Sequence, residues 1–258
     1  GSMNLEMMSR RYEELAPVVH GREEAIRLTS RCDVVLCWGV NVGSFLPHAG
    51  RSPAVVMASH STSEMPYATF TQARSSPFVD RFVAVSRAAL SSIPPDRRAD
   101  TLIIHPAVDP NRIHATRSRA EVLGAWGIDP GRMIIGALGR IAPEKRPQRF
   151  VDVVAALPQD FVGVMVGAGL MADKVRTYAE RVAPGRVFFP GPVAAVGDAL
   201  GAFDRLVHLA SYESFCMALA EAMAAEVPAV STRVGFLTEH EHVARIVPFE
   251  AAGRDVAK

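Results

Sequence analysis

The sequence predicts an α/β protein with doubly wound parallel sheets. In the second half of the chain, short apolar runs alternate with helix-like segments at the spacing of parallel strands joined by helices. In the first half, the apolar runs are continuous rather than alternating, as expected for parallel strands that are buried on both faces. The chain has 258 residues, which is enough for two modest domains or one large one.

The first half begins with a charged, helix-like segment from Leu5 to Leu28. Four strand-like runs follow it, at Asp33–Cys37, Ala54–Ala58, Phe82–Ser86 and Thr101–His105. Prolines and arginines then interrupt the apolar pattern between residues 106 and 131, and we place a domain boundary in this stretch. The predicted domains are residues 1–112 and residues 113–258.

The second half has a clearer order of elements. Pro147 suits the first position of a helix, because proline lacks an N–H that this position does not need. The predicted strands are Met133–Leu138, Phe161–Val166, Arg186–Phe189, Leu206–Ala210 and Pro228–Ser231. The predicted helices are Gln148–Leu157, Ala172–Val182, Asp198–Phe203 and Phe215–Ala225.

Composition excludes several classes of protein. The net charge of +1 argues against a nucleic-acid-binding surface, which needs clustered excess Lys and Arg. The longest apolar run, Phe161 to Ala172, contains three glycines and is too short to cross a bilayer. The three cysteines show no C-x-x-C spacing and cannot all pair, which favours a reducing, cytoplasmic location.

A basic loop, Gly139-Arg-Ile-Ala-Pro-Glu-Lys145, follows the first strand of the second half. This position is at the carboxyl edge of the predicted sheet, where ligands bind in doubly wound folds. Gly139 allows close backbone approach, and Arg140 and Lys145 carry charges suited to a diphosphate. The alternative is a solvated basic loop. A second glycine pair, Gly167 and Gly169, also follows a strand and could make room for a nucleotide, but an ordinary strand-to-helix turn is the preferred interpretation.

The segment from Ser211 to Pro228 places two acids around a predicted helix start. Ser214 is the predicted N-cap, which leaves the N–H groups of the next residues free for phosphate or sugar oxygens. Glu213 is expected in the turn, and Glu221 about two turns into the helix. The alternative is that both acids simply favour the positive end of the helix dipole.

Metal ligands are weakly represented. The pair His240 and His242 lies on an irregular stretch, and the sequence contains neither H-E-x-x-H nor the D-x-D pair with which many sugar transferases hold a metal. A metal-independent reaction is therefore predicted. His60 ends a strand-like run, from which its side chain could reach an interdomain cleft; a structural or surface histidine is the alternative.

These segments occur in an order that resembles the donor-binding domain of retaining GT-B glycosyltransferases of family 4. The resemblance covers roughly residues 133 to 240, and its most specific element is the E-x7-E spacing of Glu213 and Glu221. The first half resembles the later strands of the acceptor domain, so the resemblance implies two Rossmann-like domains with the N-terminal one truncated. The matching segments are Gly136–Lys145, Val166–Gly169, Val187–Gly191 and Glu213–Ala224.

The resemblance implies a role for each candidate residue. Arg140 and Lys145 would bind the donor diphosphate and stabilise it as it leaves, Glu221 would hold the ribose hydroxyls, and Glu213 would lie against the donor sugar. His60 joins these as a catalytic candidate. Further donor-binding positions are Gly139, Gly167, Phe188, Ser214, Phe215, Cys216 and Met217.

The predicted reaction is transfer of a sugar from a UDP- or GDP-type nucleotide-sugar to an acceptor, with retention of configuration and with no cofactor. Ser214 and Cys216 replace the glycines usual in this family, which narrows the space for the sugar. A nucleotide-sugar-binding module that does not catalyse transfer, or acts with a partner, is therefore the main alternative, followed by an epimerase or phosphorylase. The sequence leaves open whether the acceptor is a sugar, a lipid or a small molecule, and whether the chain forms an oligomer.

Overall fold

The computed structural model describes residues 22–29, 31–37, 53–64 and 66–248. The strands in these ranges form two sheets, one four-stranded and one six-stranded, and all of their pairings are parallel. The predicted α/β class with parallel sheets is confirmed. The predicted N-terminal helix lies outside the described residues up to position 21; from there, helix α1 covers Arg22–Thr29.

The first sheet has the strand order β1-β2-β3-β4. Its strands are β1 (Val34–Cys37), β2 (Ala54–Ser59), β3 (Arg81–Ala84) and β4 (Leu102–Ile103), with helix α2 (Pro66–Ser75) between β2 and β3. The prediction that these strands are buried on both faces is wrong for the two edge strands, because Val34 and Leu36 of β1 and Leu102 of β4 are more than half exposed. No described element covers that face of β1.

The second sheet has the strand order β10-β9-β8-β5-β6-β7. Its strands are β5 (Met133–Leu138), β6 (Phe161–Val166), β7 (Val187–Gly191), β8 (Arg205–His208), β9 (Ala229–Thr232) and β10 (Arg245–Val247). The helices are α3 (Pro110–Ile113), α4 (Arg119–Ala125), α5 (Pro147–Ala156), α6 (Ala172–Val182), α7 (Val196–Ala202) and α8 (Met217–Ala224). No helix among the described residues combines the length and apolar composition needed to cross a bilayer.

The chain reverses direction across this sheet between β5 and β8. It runs outward from β5 through β6 to β7, and then returns to β8 on the other side of β5 before continuing to β9 and β10. In open α/β sheets, ligands bind outside the carboxyl ends of the strands at such a reversal. The loops after β5 and β8 are therefore the first place to look for a site.

Two apolar clusters support the second sheet on its opposite faces. The larger contains Phe82 from the first sheet together with Ile134, Leu206 and Leu219, so it includes residues of both halves of the chain. The other packs α5 and α6 against the sheet. Helix α5 contributes Phe150, Val151, Val153 and Val154, which recur at the spacing of one helix face.

Candidate functional site

Hydrogen bonds tie the loop after β5 to the loop after β8. The backbone N–H of Ser211 donates to the carbonyl of Glu144 at 2.7 Å, and the Ser211 hydroxyl donates to the same oxygen at 3.1 Å. The structure thus brings together the basic loop and the acidic segment, although about 70 residues separate them along the chain, a spacing that neither local helix nor hairpin contacts could bridge. The two segments meet at the reversal point of the sheet.

Lys145 and Glu213 form an ion pair across these two loops. Lys145 ends a short 3₁₀ turn, Pro143–Lys145, and its ammonium group contacts Oε1 of Glu213. The Nε2 atom of His208 lies 3.0 Å from the same oxygen. Burial alone would raise the pKa of Glu213, but His208 and Lys145 outweigh burial and lower that pKa. Glu213 is therefore ionised at neutral pH.

His208 is a member of this site that the sequence reasoning missed. It is the last residue of β8, and only 6% of its side chain is exposed. Burial alone would lower the pKa of His208, but Cys216 and Glu213 outweigh burial and raise it. Although Nε2 is close to Glu213, it makes no directed hydrogen bond. A lone histidine in the otherwise apolar run Leu206–Ala210 was the available signal.

Arg140 is paired with an acid of its own loop. Its guanidinium donates to Oε1 of Glu144 at 2.9 Å, and three quarters of its side chain is exposed. Together with Gly139, Lys145 and His208, Arg140 lines a small cavity of about 30 Å³. Both predicted phosphate-binding side chains thus face one concavity, and each is neutralised by a neighbouring carboxylate.

The predicted start of the helix after β8 is wrong. Helix α8 begins at Met217, and its N-cap is Cys216 in the left-handed conformation, with φ 83° and no side-chain cap, so Ser214 is not the N-cap. Tertiary contacts hold the two preceding residues outside the helix. The hydroxyl of Ser86 donates to the carbonyl of Ser214 at 2.5 Å, and the N–H of Phe236 donates to the carbonyl of Phe215 at 3.1 Å.

The later helix start also changes the depth of Glu221. This residue is the fifth of α8, just over one turn from its start rather than about two turns. Its side chain is 9% exposed, and Oε1 lies 3.6 Å from Nη2 of Arg112. Burial raises the pKa of Glu221, and Arg112 partly opposes that rise. The partnership with Arg112, which belongs to α3, was not predicted.

Two predicted donor-binding glycines, Gly139 and Gly167, lie against each other. Gly167 has φ 139°, and a Cβ atom on it would lie 1.9 Å from the carbonyl oxygen of Gly139. The N–H of Gly139 donates to the carbonyl of Val166 at 3.0 Å. Because the loops after β5 and β6 approach this closely, Gly167 is required for packing whether or not a ligand binds.

The predicted apolar and aromatic positions have varied surroundings. Phe188 lies on β7, half-buried against the larger apolar cluster. Phe215 is buried, with its ring centroid 5.4 Å from that of His105 and 5.0 Å from that of Phe236. Met217 is 37% exposed at the first position of α8.

His60 is exposed directly after β2, and partial desolvation of its ring lowers its pKa. A cleft of about 260 Å³ lies nearby, between Thr62 and Glu64 of the first half and Glu213 of the second half. His60 is not among the residues lining that cleft. Its neighbours in sequence, Thr62 and Glu64, line the cleft together with Glu213, and the catalytic role of His60 stays a prediction.

Two groups of described residues have metal-ligating atoms within 4.8 Å of one another. The first consists of His208, Glu213 and Cys216. The second consists of His105, Glu239 and His240, so His240 does not pair with His242 as its ligand partner. In the second group, Glu239 also accepts a hydrogen bond from the backbone N–H of Arg87 at 3.0 Å.

Comparison with known proteins finds a matching family model and several sequence relatives. Residues 118–242 match the family model described as glycosyl transferases group 1. The lipopolysaccharide core biosynthesis mannosyltransferase LpsB of Rhizobium meliloti is 32% identical over 149 residues, which are 54% of this chain and 42% of that protein. A GDP-mannose-dependent alpha-mannosyltransferase of Mycolicibacterium smegmatis is 38% identical over 112 residues, which are 43% of this chain and 28% of that protein. The matched regions span less than half the length of these relatives.

Solved structures share the architecture over most of the chain. Anabaena HepE (Alr3699) in complex with UDP-glucose superposes with a TM-score of 0.79 at 18% identity, covering 95% of this chain and 71% of that one. A second structure, the glycosyltransferase WaaG involved in lipopolysaccharide biosynthesis, gives a TM-score of 0.65 at 16% identity over 84% of this chain and 70% of that one. At these identities the likeness is one of fold.

Proposed function

We propose that the chain transfers a sugar from a nucleoside-diphosphate-sugar to an acceptor, because residues 118–242 match the glycosyl transferases group 1 model and a solved glycosyltransferase shares its fold. We further propose that it belongs to the retaining enzymes of family 4 and needs no metal for turnover. The donor is of the GDP or UDP type. Several relatives are named as GDP-mannose-dependent, and HepE was solved with UDP-glucose.

The observation that carries this proposal is the meeting of Lys145 and Glu213 at the reversal point of the second sheet. A diphosphate needs fixed positive charge, and a sugar ring needs a hydrogen-bond acceptor beside it. Lys145 supplies the first and Glu213 the second, in adjacent positions on two hydrogen-bonded loops. Glu221 adds a buried carboxylate on the helix that follows, in keeping with the role of holding ribose hydroxyls.

We assign the steps as follows. Arg140 and Lys145 leave Glu144 and Glu213 and bind the diphosphate, whose negative charge increases as the bond to the sugar breaks. Glu213, still beside His208, then accepts a hydrogen bond from a sugar hydroxyl. The acceptor attacks from the face that the diphosphate leaves, and a phosphate oxygen takes the acceptor's proton, so configuration is retained. The predicted division into residues 1–112 and 113–258 would place the acceptor between the two sheets.

Binding of GDP, UDP and ADP, followed by incubation with their sugar conjugates, tests the proposal. The parent chain should bind one nucleoside diphosphate, and Lys145→Ala and Glu221→Ala should bind it more weakly. Slow release of free sugar from the matching nucleotide-sugar would demonstrate turnover without an acceptor. If both variants bind every nucleotide as well as the parent does, this site assignment is wrong.

One observation favours a second candidate, a nucleotide-sugar-binding module that does not catalyse transfer. Cys216 is held at φ 83° and carries a buried side chain at the entrance to α8, where the resemblance calls for a glycine. This thiol occupies space next to Glu213. Binding of a nucleotide-sugar without release or transfer of its sugar, even with sugar and lipid acceptors present, would support the module.

A further inference from the structure

Cys216, His208 and Glu213 form a set of side chains that zinc prefers. A thiolate, an imidazole nitrogen and a carboxylate oxygen are its usual protein ligands, and three of them with one open position make a four-coordinate site. Their ligand atoms already lie within 4.8 Å of one another. Tetrahedral ligands at zinc bond lengths are about 3 to 4 Å apart, so small side-chain rotations would close the set.

The environment of His208 points to a ligand as well. Its side chain is 94% buried, and Nε2 is a buried nitrogen without a directed hydrogen bond even though Glu213 Oε1 is 3.0 Å away. Buried polar atoms normally find such a partner. An ion between His208, Glu213 and Cys216 would satisfy the nitrogen and the carboxylate together.

Cys216 is suited to the third position by its backbone. Its left-handed conformation is unfavourable for a residue with a side chain, and strain of this kind collects at ligand sites. The residue is also the N-cap of the eight-residue helix α8, so the free N–H groups of the first helical turn lie beside it. Neither the backbone conformation nor the N-cap position would make a site alone, but both belong to Cys216, whose Sγ completes the set.

We propose that Cys216, His208 and Glu213 bind one Zn²⁺ ion, and that this ion excludes the sugar of the donor. The exclusion, unlike the metal site, rests on the proposed function. On binding, the thiol proton and the imidazolium proton are released to solvent, and Cys216 Sγ, His208 Nε2 and Glu213 Oε1 each form a bond to the ion. Lys145 gives up its contact with Glu213 and turns towards solvent. Zinc is then an inhibitor and has no part in turnover.

The second cluster, around Glu239, is a natural comparison within the chain. It offers two histidines and a carboxylate but no thiolate. Both carboxylates are already engaged by a cation, Glu239 by Arg87 at 3.4 Å and Glu213 by Lys145, so the thiolate is what distinguishes the two sets. The set with Cys216 is therefore the preferred one, and His240→Ala is a matched control.

Titration of the metal-free protein with Co²⁺ tests the site, because a cobalt–thiolate bond gives a charge-transfer absorption that other ligands do not. We expect one equivalent of Co²⁺ to produce this band and Zn²⁺ to remove it. Cys216→Gly should abolish the band. Glu213→Gln should weaken Zn²⁺ binding by about tenfold or more, since even residues that only support a ligand typically change affinity 10- to 100-fold. Two control variants, Cys32→Ser at the exposed cysteine and His240→Ala, should leave the cobalt band and the Zn²⁺ affinity unchanged.

Absence of the thiolate band, or a band that persists in Cys216→Gly, would overturn the site. Loss of binding in His240→Ala would assign the metal to the other cluster. For the exclusion, Zn²⁺ should weaken binding of GDP-mannose or UDP-glucose; joint binding at full affinity would overturn it. If neither nucleotide-sugar binds the metal-free protein, the proposed function and the exclusion fail together, while the cobalt spectrum still decides the site.

Discussion

The ammonium group of Lys145 and the carboxylate of Glu213 form an ion pair that joins the loop after β5 to the loop after β8. Each of these groups has a proposed task towards the donor, and each is engaged with the other in the structure. Arg140 and Glu144 repeat the arrangement within one loop. Both cationic side chains proposed to bind the diphosphate are therefore ion-paired with carboxylates in the structure. A diphosphate has to displace these carboxylates in order to bind.

Replacing Lys145 with alanine should weaken binding of the preferred nucleoside diphosphate by about 10- to 150-fold. The reason is the loss of one charge-assisted hydrogen bond, which contributes about 1.5–3 kcal/mol. Isothermal titration calorimetry measures the change. Lys174→Ala removes an exposed lysine of α6 and is the matched control. Equal affinity in the Lys145 and Lys174 variants would remove Lys145 from the phosphate site.

Replacing Glu213 with glutamine should have opposite effects on binding and on turnover. Without the carboxylate, Lys145 is released, and affinity for the bare nucleoside diphosphate should increase by about threefold to tenfold, as expected for one net hydrogen bond. Release of sugar from the nucleotide-sugar should fall, because glutamine is a weaker hydrogen-bond acceptor for the sugar hydroxyl than glutamate is. Calorimetry and a hydrolysis assay on the same preparation separate the two. A loss of nucleotide affinity would mean that Glu213 positions Lys145 rather than restraining it.

Most of the strand and helix order in the second half could be predicted because local patterns determine it, although strand β10 and helix α4 were not predicted. Strand β6 and helix α6 have the predicted bounds, Phe161–Val166 and Ala172–Val182. In β6 a run of apolar residues is buried on both faces of the sheet, and in α6 charged residues alternate with one apolar face. Neither element depends on a distant residue for its limits.

The start of α8 could not be predicted in this way. Ser214 has the side chain of a good N-cap, but its carbonyl accepts a hydrogen bond from Ser86, which is 128 residues away in sequence. A contact between the two halves of the chain thus overrides a local preference. The same holds for His208, because only the packed site shows that it lies beside Glu213.

Replacing Cys216 with glycine should favour the sugar part of the donor. Glycine adopts φ 83° without strain and removes the thiol beside Glu213, so space for the sugar increases. We expect the ratio of affinities for nucleotide-sugar and bare nucleotide to increase in this variant. Cys216→Ala, which removes the thiol but keeps a side chain at the strained position, is the control and should show a smaller increase. An unchanged ratio in both variants would mean that Cys216 does not limit the sugar site.

Replacing Glu221 with glutamine should stabilise the protein at neutral pH, on the order of 1 kcal/mol, which is the usual scale of a single substitution. Burial raises the pKa of Glu221 above its ordinary value of 4.5, so the folded state disfavours the carboxylate. A raised folded-state pKa contributes stability at low pH that is lost as the pH rises through that pKa. The gain from glutamine should therefore be present at neutral pH and disappear as the pH falls below 4.5.

The ion pair between Glu221 and Arg112 is lost as well, but 61% of the Arg112 side chain is exposed, so this loss is small. Urea unfolding of Glu221→Gln across this pH range measures the difference, with Glu180→Gln, at an exposed acid of α6, as the control. A gain in stability that persists at low pH would show that packing, rather than burial of the charge, is responsible. Weaker nucleotide binding by the stabilised variant would identify Glu221 as a residue that is kept for function at a cost in stability.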